Sequence, residues 1–428
     1  MAAPMNHPPP QPRDPIAWCV AMTAAFLGLC LVRLTVPSTT YFDEIHYLPA
    51  ARELLAMHKW INREHPMFGK EMIALGMWAL GDNPLGWRIG SALAGTLTFF
   101  ACMRALWFAS LSRFATISYG VLLASGFMLF VQSQIAMLDA YMLAALATSF
   151  WMFAKAVREP EHGRRYMIAG GIAIGVAMGT KWNAVPLALV PGLTFFAWRL
   201  RATGWRFVWS RRGPPVPGVT LLEAALWLGV LPLLVYWATF APAYFFSVNP
   251  LKPGGFFAYQ HTMLALQESV IKPHPYNTRW WQWALDLRGI WYLYRPIDGV
   301  QRGVIMIGNP LTMITGLVAF FWCLWAGVRG RWDALAAAIL YIFAIGFWVI
   351  APKPIQFFYH YLAPSLALFA GLALALDELW RRGWRWVPVL FLAASCGIFV
   401  WFYPIISAAG LHDGRPSYIH WMWLYSWR

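Results

Sequence analysis

Charge is scarce in this chain: 12% of its 428 residues are charged, while 60% are hydrophobic. A soluble globular protein carries about 25% charged residues, so the deficit excludes a water-solvated domain and makes lipid the solvent for most of the sequence. In lipid every backbone polar group is satisfied internally, which leaves helices or closed barrels. The apolar runs are about 20 residues long rather than alternating ten-residue stretches, and that selects helices. Cysteine is also scarce. The five cysteines, Cys19, Cys30, Cys102, Cys323 and Cys396, fall inside or at the edge of apolar runs with no metal-like spacing, which excludes a zinc site and a disulfide framework. Asp-x-Asp is absent. Magnesium is usually held by carboxylates together with substrate phosphates, so metal-independent chemistry without a cofactor is expected. Acidic residues number 18 against 33 lysines and arginines, a net charge of +15. Much of that excess is arginine beside hydrophobic runs, which points to membrane topology and anionic lipid or phosphate contact rather than nucleic acid.

What is present is a series of candidate spans: 15–34, 84–107, 113–132, 136–155, 166–180, 183–199, 219–241, 303–328, 333–351, 358–378 and 386–406. About eleven crossings define an all-α polytopic membrane protein. The preceding segment 1–14 is proline-rich, has no convincing cleavage site after the first apolar run, and reads as a disordered tail rather than a signal peptide. Short arginine-rich connections carry Lys155, Arg158, Arg164 and Arg165, then Arg199 to Arg212, then Arg329 and Arg331, then Arg381, Arg382 and Arg385. These should be cytoplasmic. An odd number of crossings then places the N-terminus inside and the C-terminus outside. The chain divides into an N-terminal membrane module (15–241) with a first outer loop (35–83), a second outer loop (242–302) and a C-terminal membrane module (303–428). In the first outer loop, Glu53 to Trp60 and Lys70 to Leu80 have apolar residues at helical spacing and should form short surface helices.

Polar chemistry therefore belongs on the outer face, where lipid-linked or exported substrates are at hand. Asp43 and Glu44 stand just after the first span, followed by His46 and Tyr47. On a helix starting here Asp43, His46 and Tyr47 share a face. Asp43 then suits a general base tuned by His46 or Glu44; the alternative is that Asp43 only caps the helix. His65-Pro66 leads into a helix whose first turn holds Lys70. Lysine is unfavourable at a helix N-terminus, so Lys70 either meets an anion such as a lipid phosphate or reaches out to headgroups. Arg33 and Arg88 lie at outer ends of spans, where an arginine is costly unless paired or touching phosphate. Asp139 opens the fourth span, as a cap or an ion-pair partner, and Lys181-Trp182 is a lone outer charge between two spans. In the second loop His274-Pro275-Tyr276 precedes Trp280, Trp281, Trp283 and Arg288, a set that suits a sugar phosphate or, for the tryptophans, an interfacial aromatic belt.

The ordered set Asp43-Glu44, His65-Pro66 to Lys70, Arg88, Leu138-Asp139, Gly179 to Trp182 and His274 to Arg288 resembles the protein O-mannosyltransferases. The resemblance runs from about Arg33 to about Tyr361. It implies a GT-C type glycosyltransferase that moves mannose, with inversion, from a polyprenyl-phosphate donor to Ser or Thr of exported proteins. It also implies a bacterial plasma (inner) membrane location, with Asp43 as base and Glu44 as its partner. The resemblance places Arg33 and Arg88 in the site, with Lys70, Arg288, His65, His274, Asp139, Lys181 and Trp182 around it. The second outer loop is short, so the soluble sugar-binding-like domain of the eukaryotic members is missing. His-Pro is followed by Met67-Phe68-Gly69 where the family usually has a second proline and an aliphatic residue. A sister transferase acting on lipid A or a glycan is the nearest alternative. Against a transporter or flippase stands the lack of an internal repeat, with charges gathered at one surface. The donor phosphate is expected among Arg88, Lys70 and Arg288, with the acceptor proton passing to Asp43.

Overall fold

The computed structural model describes residues 12–428 apart from 270, 272–273, 352 and 413. Most of the expected tail, 1–14, lies outside the described residues. Its last member is anchored: Asp14 takes two hydrogen bonds from the guanidinium of Arg104, one of them 2.7 Å.

The protein is mostly helical. Among the described residues, seven helices are long and apolar enough to cross a membrane: Pro84–Ser110, Leu138–Arg158, Leu221–Ala238, Pro310–Val328, Trp332–Ile350, Phe358–Arg381 and Trp386–Ile406. The other expected spans are helical but shorter, interrupted or less apolar. Ile16–Leu31 is a shorter apolar helix. The 113–132 run breaks into Arg113–Ser125 and Met128–Ser133 at Phe127, whose φ is 69°. The 183–199 run divides into Val185–Ala188 and Val190–Thr203. Gly163–Thr180 follows the 166–180 run and is rich in glycine for a packing reason. A Cβ on Gly171 would meet the Trp227 carbonyl oxygen at 1.9 Å, so only glycine lets this helix approach Leu221–Ala238 so closely.

The all-α expectation is corrected by a three-stranded antiparallel sheet. Ile290–Ile297 and Val300–Met306 form a hairpin, and Gly410–Leu411 adds a short third strand. The turn is Asp298-Gly299, with φ of 51° and 77°, the dipeptide that two-residue hairpin turns demand. The expected span 303–328 therefore begins only at Pro310, where the Asn309 side chain accepts from the Leu311 N–H and caps the helix.

The two ends of the helical assembly differ. At one end arginines and acids tie the short connections together: Arg158 donates to the Phe108 carbonyl (3.1 Å), Ser112 to Asp377 (2.6 Å) and Arg331 to Glu378 (3.1 Å). At the other lie the first loop, the hairpin and the C-terminal residues. Trp427 donates to the Asp286 carbonyl at 2.7 Å, and its own carbonyl accepts from Trp291 at 3.1 Å. The two short helices of the first loop are Glu44–Leu55 and Phe68–Leu80. The first starts and ends earlier than expected: Met57, with φ 47°, terminates it, and Lys59 instead pairs with Val248 of the second loop as an isolated parallel bridge.

Candidate active site

The segment before Asp43 is held from two sides. From the hairpin, Asp298 accepts from the Ser38 N–H (3.1 Å) and hydroxyl (2.5 Å), and Arg295 donates to the Thr39 hydroxyl and the Thr40 carbonyl. From the helix Pro84–Ser110, Arg88 donates to the carbonyls of Leu34, Pro37 and Thr39. The Phe42 ring stacks on Tyr292 with centroids 3.9 Å apart. This scaffold delivers Asp43 to the N-cap of Glu44–Leu55.

The Asp43 side chain makes no capping hydrogen bond. It is half-buried, and burial raises its pKa above the ordinary carboxylate value. The positive charges of Lys181, His46 and Lys353 oppose that rise, while the Asp139 carboxylate adds to it. Glu44 differs in every respect. It is fully buried and accepts from Arg88 Nε (2.8 Å), Arg88 Nη2 (3.0 Å), the Ala136 N–H (3.1 Å) and the Tyr41 N–H (3.2 Å). These bonds, with the three carbonyls already named, occupy all the N–H groups of Arg88. Arg88, expected at the donor phosphate, thus clamps the loop that carries Asp43, and Glu44, expected as Asp43's partner, is the other half of that clamp.

Lys70 has a comparable placement. Its side chain is buried, and Nζ donates to the carbonyls of Asn62 (2.7 Å) and His65 (2.9 Å). Burial lowers its pKa to about 7. His65 keeps a buried Nδ1 without a hydrogen-bond partner among the described residues; burial first, then the charges of Lys181, Lys353 and Lys70, hold its pKa well below the ordinary histidine value. Asp139 and Lys181 form a buried ion pair of 2.8 Å, with Lys181 Nζ over the Tyr359 ring. Trp182 donates to the Tyr236 hydroxyl at 2.9 Å.

His65, Lys181 and Trp182 share a cleft of about 520 Å³ with Lys353 and His360. The rest of its wall is largely apolar and includes Val185, Leu233, Leu264, Phe347 and Trp348. A pocket of this kind takes an apolar ligand and orients it by a few polar groups. Lys181 and Lys353 line the cleft and also act electrostatically on Asp43, so its cationic wall and the carboxylate are neighbours. Sequence reasoning missed Lys353 and His360. Lys353 stands alone between two apolar runs, the pattern that singled out Lys181, and would have been found by the same test.

Like Asp43, Glu44, Lys70, Arg88 and Asp139, four further expected site residues are not part of the cleft lining. Arg33 is exposed and donates to the Ser407 hydroxyl, with its guanidinium over Tyr403. His46 is exposed, although its charge reaches Asp43. Exposed His274 accepts from the Tyr276 N–H and meets Phe357 edge-on, while Arg288 donates to the Pro275 carbonyl at 2.6 Å. Of the loop tryptophans, Trp283 is buried and bonded to the Thr278 hydroxyl.

The fold matches solved membrane glycosyltransferases. The chain is similar to the S. cerevisiae protein O-mannosyltransferase Pmt1-Pmt2 complex bound to the sugar donor, with TM-score 0.78, 14% identity, and coverage of 96% of this chain and 92% of that one. It is also similar to ArnT from Cupriavidus metallidurans bound to undecaprenyl phosphate, with TM-score 0.60, 20% identity, and coverage of 95% and 68%. Among curated proteins it is similar to polyprenol-phosphate-mannose–protein mannosyltransferases. One, from Corynebacterium glutamicum, is 24% identical over 97% of this chain and 94% of its own length. Another, from Mycolicibacterium smegmatis, is 27% identical over 95% and 93%. The family model for dolichyl-phosphate-mannose-protein mannosyltransferase matches residues 20–245, more than half of the sequence. The chain belongs to the dolichyl-phosphate-mannose-protein mannosyltransferase family.

Proposed function

We propose that this chain, a protein mannosyltransferase by family, uses Asp43 as the general base that transfers mannose from a polyprenyl-phosphate donor to Ser or Thr hydroxyls of exported proteins. One observation carries this reading: the Asp43 carboxylate makes no capping hydrogen bond at its helix N-cap and sits beside a largely apolar cleft that Lys181 and Lys353 line, while its neighbour Glu44 is fully engaged in structure.

The prenyl chain lies along Val185, Leu233, Leu264 and Phe347, and the phosphate meets Lys181 and Lys353. The bond between the mannose anomeric carbon and the phosphate oxygen breaks as the acceptor oxygen bonds to that carbon from the opposite face, inverting it. The hydroxyl proton passes to Asp43. The departing phosphate gains charge, and fixed cations in a water-poor cleft stabilise it. A phosphate leaving group needs little protonation, so one carboxylate suffices where glycoside hydrolysis uses two. The residues named do this without a metal ion.

The four remaining helical segments complete eleven crossings. The arginine-rich end faces the cytoplasm of a bacterial plasma membrane, since short arginine-rich connections stay inside. The loops bearing Asp43 and Lys353 then face outward, where exported acceptors pass.

The test is to incubate membranes containing the protein with labelled polyprenyl-phosphate mannose. Label is expected in protein at Ser or Thr. Label appearing in lipid A or a glycan instead would transfer the assignment to a sister lipid-linked-sugar transferase.

A further inference from the structure

His360 carries a donor with nothing to receive it. The residue lies within the short turn Phe358–Tyr361 ahead of the helix Leu362–Arg381, is 2% exposed, and lines the cleft that holds Lys181 and Lys353. Its Nδ1 accepts from the Phe357 N–H at 3.0 Å. A neutral imidazole that accepts at one nitrogen carries its proton on the other, so Nε2 is an N–H. That Nε2 is buried and has no hydrogen-bond partner among the described residues. Buried donors almost always have an acceptor, and one left empty in a native fold asks for an explanation.

The ring has little freedom to seek a partner. It stacks on Trp348 at 3.9 Å and packs against Tyr359 at 4.4 Å and Trp283 at 5.8 Å. Trp283 is in turn fixed to Thr278, and the Thr278 N–H donates to the Gln356 carbonyl at 2.9 Å. The second outer loop and the segment before the helix thus hold one imidazole in one orientation and one tautomer.

We infer that His360 donates its Nε2–H to a phosphate oxygen of the polyprenyl-phosphate donor, a positioning and binding contact beside Lys181 and Lys353. This rests on the donor reading above and deepens it. The lysines supply charge without direction, because an ammonium is a rotatable point charge. A locked imidazole N–H supplies direction, and it sets which phosphate oxygen faces the cations and hence which face the sugar presents to Asp43.

Two substitutions separate this role from packing. His360→Asn places an amide oxygen where Nδ1 accepts from Phe357 and removes the Nε2 donor. His360→Gln places an amide N–H near Nε2 and gives up the turn contact. Equilibrium binding of undecaprenyl phosphate to the purified full-length protein should weaken about tenfold or more in His360→Asn, as expected for a lost hydrogen bond to a charged group. Its thermal unfolding temperature should be unchanged, and the KM for polyprenyl-phosphate mannose should rise in parallel. His360→Gln should bind within about threefold of the native protein, on the same scale. Native-like binding by a folded His360→Asn would overturn the inference. So would equal loss of binding in both variants with a lowered unfolding temperature, which would assign the ring to packing. Failure of the donor reading itself looks different: the native protein would then not bind undecaprenyl phosphate, and the inference would fall with it.

Discussion

Glu44 and Arg88 form a bidentate ion pair, 2.8 and 3.0 Å, with both side chains wholly buried. Removing one partner of such a pair strands a charge at a cost of roughly 3–5 kcal/mol. Arg88→Ala should therefore lower the unfolding temperature in detergent and reduce the yield of folded protein. Arg88→Lys should rescue little, since an ammonium cannot serve three carbonyls and two carboxylate oxygens together. A folded Arg88→Ala that lost only donor affinity would return Arg88 to the phosphate.

Asp43 makes the contrasting prediction. Its carboxylate caps nothing, so Asp43→Asn should unfold at the native temperature or above it. General-base catalysis contributes about 10²–10⁴-fold, and initial rates of mannosyl transfer should fall by that order. Native rates in this variant would remove Asp43 from the chemistry.

The pH dependence of transfer follows from the neighbours of Asp43. The base works only when ionised, and burial raises its pKa. The acid limb of the rate profile should therefore lie above the usual aspartate range. Lys181 pulls the Asp43 pKa down and Asp139 pushes it up. Lys181→Met should displace the limb to higher pH, and adding Asp139→Asn should bring it back. A limb that ignored both changes would place the titrating group elsewhere.

Lys70 links stability to pH. Its ordinary value of 10.5 is lowered to about 7 in the fold. Between these values the unfolded chain binds the extra proton, so unfolding free energy from this group rises with pH across the window. Below about 7 both states hold the proton and the penalty for burying it is fully present. Urea unfolding from pH 7 to pH 10 should show that rise in the native protein and a flatter curve in Lys70→Met.

Lys353 should reveal itself in the donor. Lys353→Met removes one cation from the cleft wall. The KM for polyprenyl-phosphate mannose should increase several-fold, on the order of 1–2 kcal/mol for a lost charge-assisted contact. An unchanged KM would leave Lys181 as the sole phosphate cation in the proposed site.

Much of this architecture was legible because lipid imposes long apolar helices, and the apolar stretches between Ile16 and Ile406 follow the helices at most boundaries. The hairpin was missed: Asp298-Gly299 between two β-prone runs is its local signal, but its second strand runs into apolar residues that were assigned to the next span. Asp43-Glu44 stood out as an acidic pair, yet nothing local distinguishes the two carboxylates.

The sequence by itself determined that the protein is mostly helical and crosses a membrane, and to which family it belongs, because composition, run length and motif order are properties of the chain alone. Only the tertiary structure decided which carboxylate an arginine engages and which lysines line the cleft. Glu44 is engaged because Arg88 and the Ala136 N–H, far along the chain, converge on it. Lys353 gains its place because the fold brings the start of a late helix pair beside Lys181. In an apolar interior a charge takes whatever partner packing brings within reach, and that partner is set by the fold rather than by neighbours in sequence.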